Sequence, residues 1–151
     1  MVRQRWTVVD LAARHPRVAI DADVLSYLLD GSEPRATLAA AVIDAADQGV
    51  FTGSVSALAV AEVLVGPARG GDAARFEETA SELRDLAIDI VPVSGAIAED
   101  AAWLRGQRQL QLADALHVAT ARTVATAFVT NDRRIRSLAN LEVLYIDDLE
   151  A

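Results

Sequence analysis

Short apolar runs separated by longer helical stretches set the pattern of this chain. Val18 to Ile20, Val50 to Thr52, Ile88 to Val91, Ala127 to Val129 and Val143 to Ile146 are of strand length and bounded by polar or turn residues, which predicts buried strands. Thr7 and Asp10 stand at capping-box spacing before a short helix from Val8 to Arg14, stopped by Pro16. Asp23 can cap a short helix through Tyr27 to Leu29. Pro34 opens another to about Gln48, with Gly49 as its stop. A mostly apolar helix from Ser54 or Ser56 reaches Val65 and ends at Gly66-Pro67. Asp72 introduces an amphipathic one with Phe76, Leu83 and Leu86 on its buried stripe. Ser94 caps a helix to about Arg105, Gln107 to Gln109 form a polar loop, and a last long helix covers about Ala113 to Val124. Arg133 to Leu138 reads as a short basic helix.

Strands alternating with helices describe a three-layer α/β/α domain with a mostly parallel central sheet. Residues 18–151 form that domain and residues 1–17 an N-terminal extension to which the sequence assigns no role. In such sheets the functional crevice lies beyond the carboxyl ends of the strands, where the strand order reverses. Asp21 and Asp132 both fall at strand ends of that kind.

Composition narrows the setting. With 151 residues the chain is about one domain, and with no Cys it has neither disulfides nor thiolate metal ligands. No apolar run is long enough to span a membrane, and residues 1–16 lack a signal-peptide core, so a cytoplasmic protein is expected. The net charge of −8 argues against a nucleic-acid partner until its distribution is considered. Between residues 101 and 141 there are six arginines and two acids, a local charge of +4, which leaves −12 for the remainder. All 14 basic residues are Arg.

Four acids interrupt apolar or strand-end context: Asp21, Glu62, Asp114 and Asp132, with Asp23 one strand period after Asp21. An unpartnered buried carboxylate is strongly unfavourable, so such a set implies a cation, a shared proton or helix dipoles close by. Hard divalent cations take oxygen ligands, and Mg²⁺ is held by one or two carboxylates while keeping water and substrate phosphate in its shell. His117, three residues after Asp114, is expected to be a buried histidine with a backbone or carboxylate partner. Trp103 and Leu104 are expected in the core or in a dimer interface.

Asp21-Ala22-Asp23-Val24-Leu25 resembles the opening motif of PIN-domain nucleases, and Ser56 to Gly66, containing Glu62, resembles their second acidic motif. Ala113 to Ala121, with Asp114, and Val129 to Arg133, with Asp132, are similar to the third and fourth. The resemblance runs from Val18 to about Ile146 and is nearest to VapC-type toxins. It implies a Mg²⁺- or Mn²⁺-dependent endoribonuclease that hydrolyses RNA, a protein antitoxin as partner, and a homodimer. It also implies Asp21, Asp114 and Asp132 as metal ligands, with Glu62 binding the cation or orienting a water and assisting proton transfer. Asp23, where many relatives carry Asn, either supports a second metal or caps the following helix. Thr130, Asn131 and Arg133 are candidate substrate contacts.

Two other classes compete. Asp21-Ala22-Asp23 also resembles the nucleophile motif of haloacid-dehalogenase-like phosphatases, but that family usually adds a Lys, and neither it nor a receiver domain accounts for Asp114 in an apolar helix. A DxD glycosyltransferase has no support elsewhere in the chain. The remaining alternative is a non-catalytic module that keeps the PIN fold and binds metal or RNA.

Overall fold

In a computed structural model, which describes residues 5–151, the chain runs through β1 (Trp6–Thr7), α1 (Val8–Arg14), β2 (Arg17–Ile20), α2 (Ala22–Asp30) and α3 (Arg35–Asp47). Then follow β3 (Thr52–Ser56), α4 (Ala57–Arg69), α5 (Ala73–Asp85), β4 (Asp89–Val91), α6 (Gly95–Arg108) and α7 (Leu112–Val124). It closes with β5 (Ala127–Thr130), β6 (Glu142–Tyr145), a 3-10 turn at Ile146–Asp148 and β7 (Leu149–Glu150). Five strands form one parallel sheet in the order β4-β3-β2-β5-β6. The chain leaves β2 outward through β3 and β4, then returns to the other side of β2 with β5. The order therefore reverses between β2 and β5.

Because strand side chains alternate, the sheet builds two cores. Val18, Ile20, Val55, Ala127, Val129 and Leu144 face Leu11, Val24, Leu25 and Val42. Ala19, Phe128 and Val143 face Ile97, Ala101, Leu104, Ala115 and Val118 of α6 and α7. The expected three layers are thus present.

Several boundaries differ from the sequence reading, each for a local reason. The second sheet strand is Thr52–Ser56 rather than Val50 to Thr52, because the Val50 N–H still bonds the Ala45 carbonyl at the helix exit (2.9 Å). Helix α4 runs through Gly66-Pro67 to Arg69: a proline in the last turn forfeits one helical hydrogen bond without ending the helix. Helix α6 likewise continues to Arg108 and is terminated by Gln109 in the left-handed region (φ 56). Asp21, not Asp23, caps α2, and Asp23 lies within its first turn. Residues Arg133 to Leu138 form turns instead of a helix. There Asp132 accepts from the Arg134 N–H, Ile135 is buried, and Leu138 bridges back to Leu141. Leu104 is core, whereas its neighbour Trp103 is 67% exposed.

The extension that carried no assigned role contributes to the fold. Thr7 and Asp10 form the expected capping box, β1 pairs in parallel with β7, and Leu11 is fully buried in the first core. Replacing Leu11→Ala is expected to cost about 2–5 kcal/mol by lost transfer energy and an unfilled cavity. Urea unfolding measures it; an extension lying loosely on the surface would leave the midpoint unchanged.

Candidate acidic site

The backbone amide of Asp21 bonds the Val129 carbonyl of β5 (2.9 Å), which fixes the residue at the point where the strand order reverses. The residue is 7% exposed, and both carboxylate oxygens accept hydrogen bonds: Oδ1 from the Ala22 N–H (2.7 Å) and Oδ2 from the Thr130 hydroxyl (2.7 Å). Thr130 is the last residue of β5, so the neighbouring strand end orients this carboxylate. Asp23 accepts from the Asn131 N–H on Oδ2 (2.7 Å), while its Oδ1 is buried without a hydrogen-bond partner. Asn131 in turn reaches Tyr27 and Asp147, both at 3.3 Å.

Helix α7 brings Asp114 and His117 to the same place. His117 is 3% exposed; its Nε2 lies 2.5 Å from Glu62 Oε1 of α4 and 3.9 Å from Asp21 Oδ1. A carboxylate only accepts, so the imidazole Nε2–H donates to Glu62. The histidine thus has the carboxylate partner expected of it, and that partner belongs to the acidic set. Its spacing from Asp114 was the available signal. Glu62 is itself exposed, although Ala59, Val60, Val63 and Leu64 of the same helix pack in or against the first core. The reading of Glu62 as a lone acid in a buried helix is corrected accordingly.

On the remaining side, Asp132 is held by Arg134 through Nε and Nη2 (2.7 to 3.2 Å), and the same guanidinium stands 3.7 Å from Asp114 Oδ2. Arg134 was not among the candidates, although it follows Asp132 by only two residues. Arg133 turns away from the acids to a bidentate pair with Asp148 and stacks 4.2 Å above Tyr145.

The electrostatics follow from this placement. Burial, more than any other factor, pushes the Asp21 carboxyl above the usual range, against the pull of His117. Burial and then the Asp21 charge raise Asp23 from 3.8 to about 6. Asp114 is raised by burial and then by Asp132, whereas the Arg134 hydrogen bond lowers Asp132.

A PIN domain family model matches residues 18–141, most of the chain, including Asp21, Asp23, Glu62, Asp114 and Asp132. The chain belongs to the PIN domain family. Two solved structures share the fold at low identity. One, a toxin–antitoxin complex from Klebsiella pneumoniae, is similar at 22% identity with a TM-score of 0.60, covering 82% of this chain and 94% of the other. The second is VapBC2 from Rickettsia felis bound to a DNA fragment from its promoter. It is 14% identical with a TM-score of 0.66, covering 85% of this chain and 98% of the other. No curated protein matches.

This PIN domain offers an all-oxygen donor set suited to a hard divalent cation. The raised carboxyls of Asp21 and Asp114 and the orphaned Oδ1 of Asp23 are the marks of negative charge gathered without enough counter-charge. Among the described residues no three carboxylate or imidazole groups form a finished cage.

Asp23 supplies a test of the charge imbalance. Its folded-state carboxyl holds a proton more tightly than the unfolded one, so stability is full below 3.8 and is lost as pH rises to about 6. In chelator, Asp23→Asn is therefore expected to raise stability by about 1–3 kcal/mol at neutral pH. Unfolding followed against pH should show the gain fading in acid. A gain of equal size at all pH values would contradict the assignment.

Proposed function

We propose that this PIN domain is a metal-dependent endoribonuclease, the toxin of a toxin–antitoxin pair. The observation that carries the reading is the convergence of Asp21, Asp114, Asp132 and the Glu62–His117 pair at the switch point of the sheet. Asp21, Asp114 and Asp132 would hold Mg²⁺ or Mn²⁺, with Asp23 adding negative charge behind Asp21. A bound cation would polarise the scissile phosphate and make water a stronger nucleophile. Thr130 keeps Asp21 oriented for that task. Glu62, exposed on one side and bonded to His117 on the other, can take a proton from solvent-accessible water, with the buried imidazole fixing its carboxylate. Asn131 and Arg133 border the same strand ends and would meet the substrate strand.

An antitoxin has a suitable seat. Helices α2, α4 and α5 enclose a groove of about 670 Å³ lined in part by Leu29, Val63, Pro67 and Glu82, and Val65 on the uncovered α4 is 41% exposed. A basic residue of the partner directed at the neighbouring carboxylates would complement their charge. A homodimer would cover Trp103 and Leu112, which are 67% and 53% exposed. The Klebsiella neighbour is a toxin–antitoxin complex and the Rickettsia one is VapBC2, and this supports the same kind of pairing here. No helix among the described residues is long and apolar enough to cross a membrane, and a cytoplasmic location suits an RNA substrate.

Partner-free protein is expected to cut structured or single-stranded RNA when Mg²⁺ or Mn²⁺ is present and to stop in chelator. Asp21→Asn and Asp114→Asn should each lower the rate by at least about 100-fold. Gel assays decide it: cutting by the variants at the wild-type rate would remove these residues from the mechanism, and a wild type that cuts no RNA would leave the non-catalytic module.

A further inference from the structure

The basic segment between residues 101 and 141 does not spread its charge evenly. Arg122 pairs with Asp100, Arg133 with Asp148 and Arg134 with Asp132. Among the described residues Arg105, Arg108 and Arg136 have no carboxylate partner, and all three gather at one place. Arg108 and Arg136, both exposed, line a pocket of about 230 Å³ together with Arg134, over a floor of Leu110, Val118, Ile135 and Leu138. Arg105 donates to the Leu110 carbonyl (3.3 Å) and so braces the rim. The left-handed Gln109 turns the chain between Arg108 and Leu110, bringing both to the same cavity.

We infer that this pocket binds one phosphate-bearing nucleotide of an RNA strand, immediately beside the acid cluster. The inference rests on the nuclease reading and names a binding subsite for it. Unpaired guanidiniums at a concave surface are suited to phosphate, and an apolar floor is suited to the face of a base. At about 230 Å³ the pocket is far too small for a folded RNA element and takes at most one unit of a strand, partly seated. Continuity with the acids is given by Arg134, which lines the pocket and bonds Asp132. There is also an electrostatic need. The carboxylates that would hold the cation repel a polyanion, so the strand must be attracted by positive charge close by. Arg108 and Arg136 provide it without being neutralised by the protein.

The test compares two double variants with the same change in charge. Arg108→Gln with Arg136→Gln removes the pocket cations; Arg69→Gln with Arg84→Gln removes two exposed arginines of α4 and α5. Binding of a fluorescent, short, single-stranded phosphorothioate oligoribonucleotide is followed by anisotropy with Mn²⁺ present, across a salt series. Circular dichroism confirms folding, which these exposed positions should preserve. The pocket variant is expected to bind roughly 10- to 100-fold more weakly, with a log–log salt slope shallower by about 1 to 1.5. In cleavage it should raise KM with kcat nearly unchanged, while the control variant behaves as wild type. Equal losses in both variants, or none in the pocket variant, overturn the subsite. If RNA is still cut in that case, the nuclease reading survives alone; if wild type neither binds nor cuts RNA, both fall together.

Discussion

The carboxylate of Asp21 is the constraint to which the surrounding structure answers. It is placed at the only end of β2 that faces the switch point, it is almost fully buried, and burial alone would favour its neutral form. The chain gives it two hydrogen-bond donors, the first amide of α2 and the hydroxyl closing β5, and sets the imidazole of α7 3.9 Å away, where it acts through charge. Each comes from a different segment, so the register of β2 against β5 and the packing of α7 on the sheet are both needed to make the site. Even so, more anions than cations are brought in. Asp23 and Asp114 are both raised, and the one guanidinium among them spends its hydrogen bonds on Asp132. An excess of negative charge held in this way suits a hard cation, which is what the proposed function calls for.

Four strands of the main sheet were legible in the sequence because each is a short apolar run between polar or turn residues; the fifth, Thr52–Ser56, is mostly small and polar and was placed too early. The helix starts were legible because Thr7, Ser56, Asp72 and Ser94 all cap as their types predict. Helix ends were less legible. Gly66-Pro67 and Gly106 are local stop signals, yet α4 and α6 run on past them through largely exposed last turns, because a glycine only weakens a helix and a proline in the last turn costs one hydrogen bond. The run after Asp132 failed as a helix for a different reason. Its one buried apolar residue, Ile135, anchors a turn that the Asp132 side chain and the Leu138–Leu141 bridge hold in place, and residue type alone does not reveal such non-local support.

The acidic set was legible because charge in apolar context is costly and therefore conspicuous. Its supporting layer was not. That His117 would meet Glu62, from a helix 55 positions earlier, depends on how α4 and α7 approach across the sheet. That Arg133 would be taken by Asp148 and Tyr145 depends on the 3-10 turn after β6, whose last residues are tied down by pairing of β7 with β1. Two ends of the chain thus meet beside the site, a relation that no local pattern encodes.

Arg133 and Arg134 are adjacent in sequence but serve opposite sides of the strand-end turn, and this separation organises the charge of the whole face. With Arg133 neutralised by Asp148 and Arg134 by Asp132, the net positive charge left in the segment moves outward to Arg108 and Arg136. A single side chain, Arg134, then marks the boundary between a region of excess carboxylate and a region of excess guanidinium. Two such regions in contact suit a ligand that is itself a polyanion requiring a cation at one phosphate and arginines at the next. A surface uniformly acidic would repel that ligand, and one uniformly basic would not concentrate a divalent ion. The arrangement of charge, more than its total of −8, is what makes a nucleic-acid substrate physically reasonable for this chain.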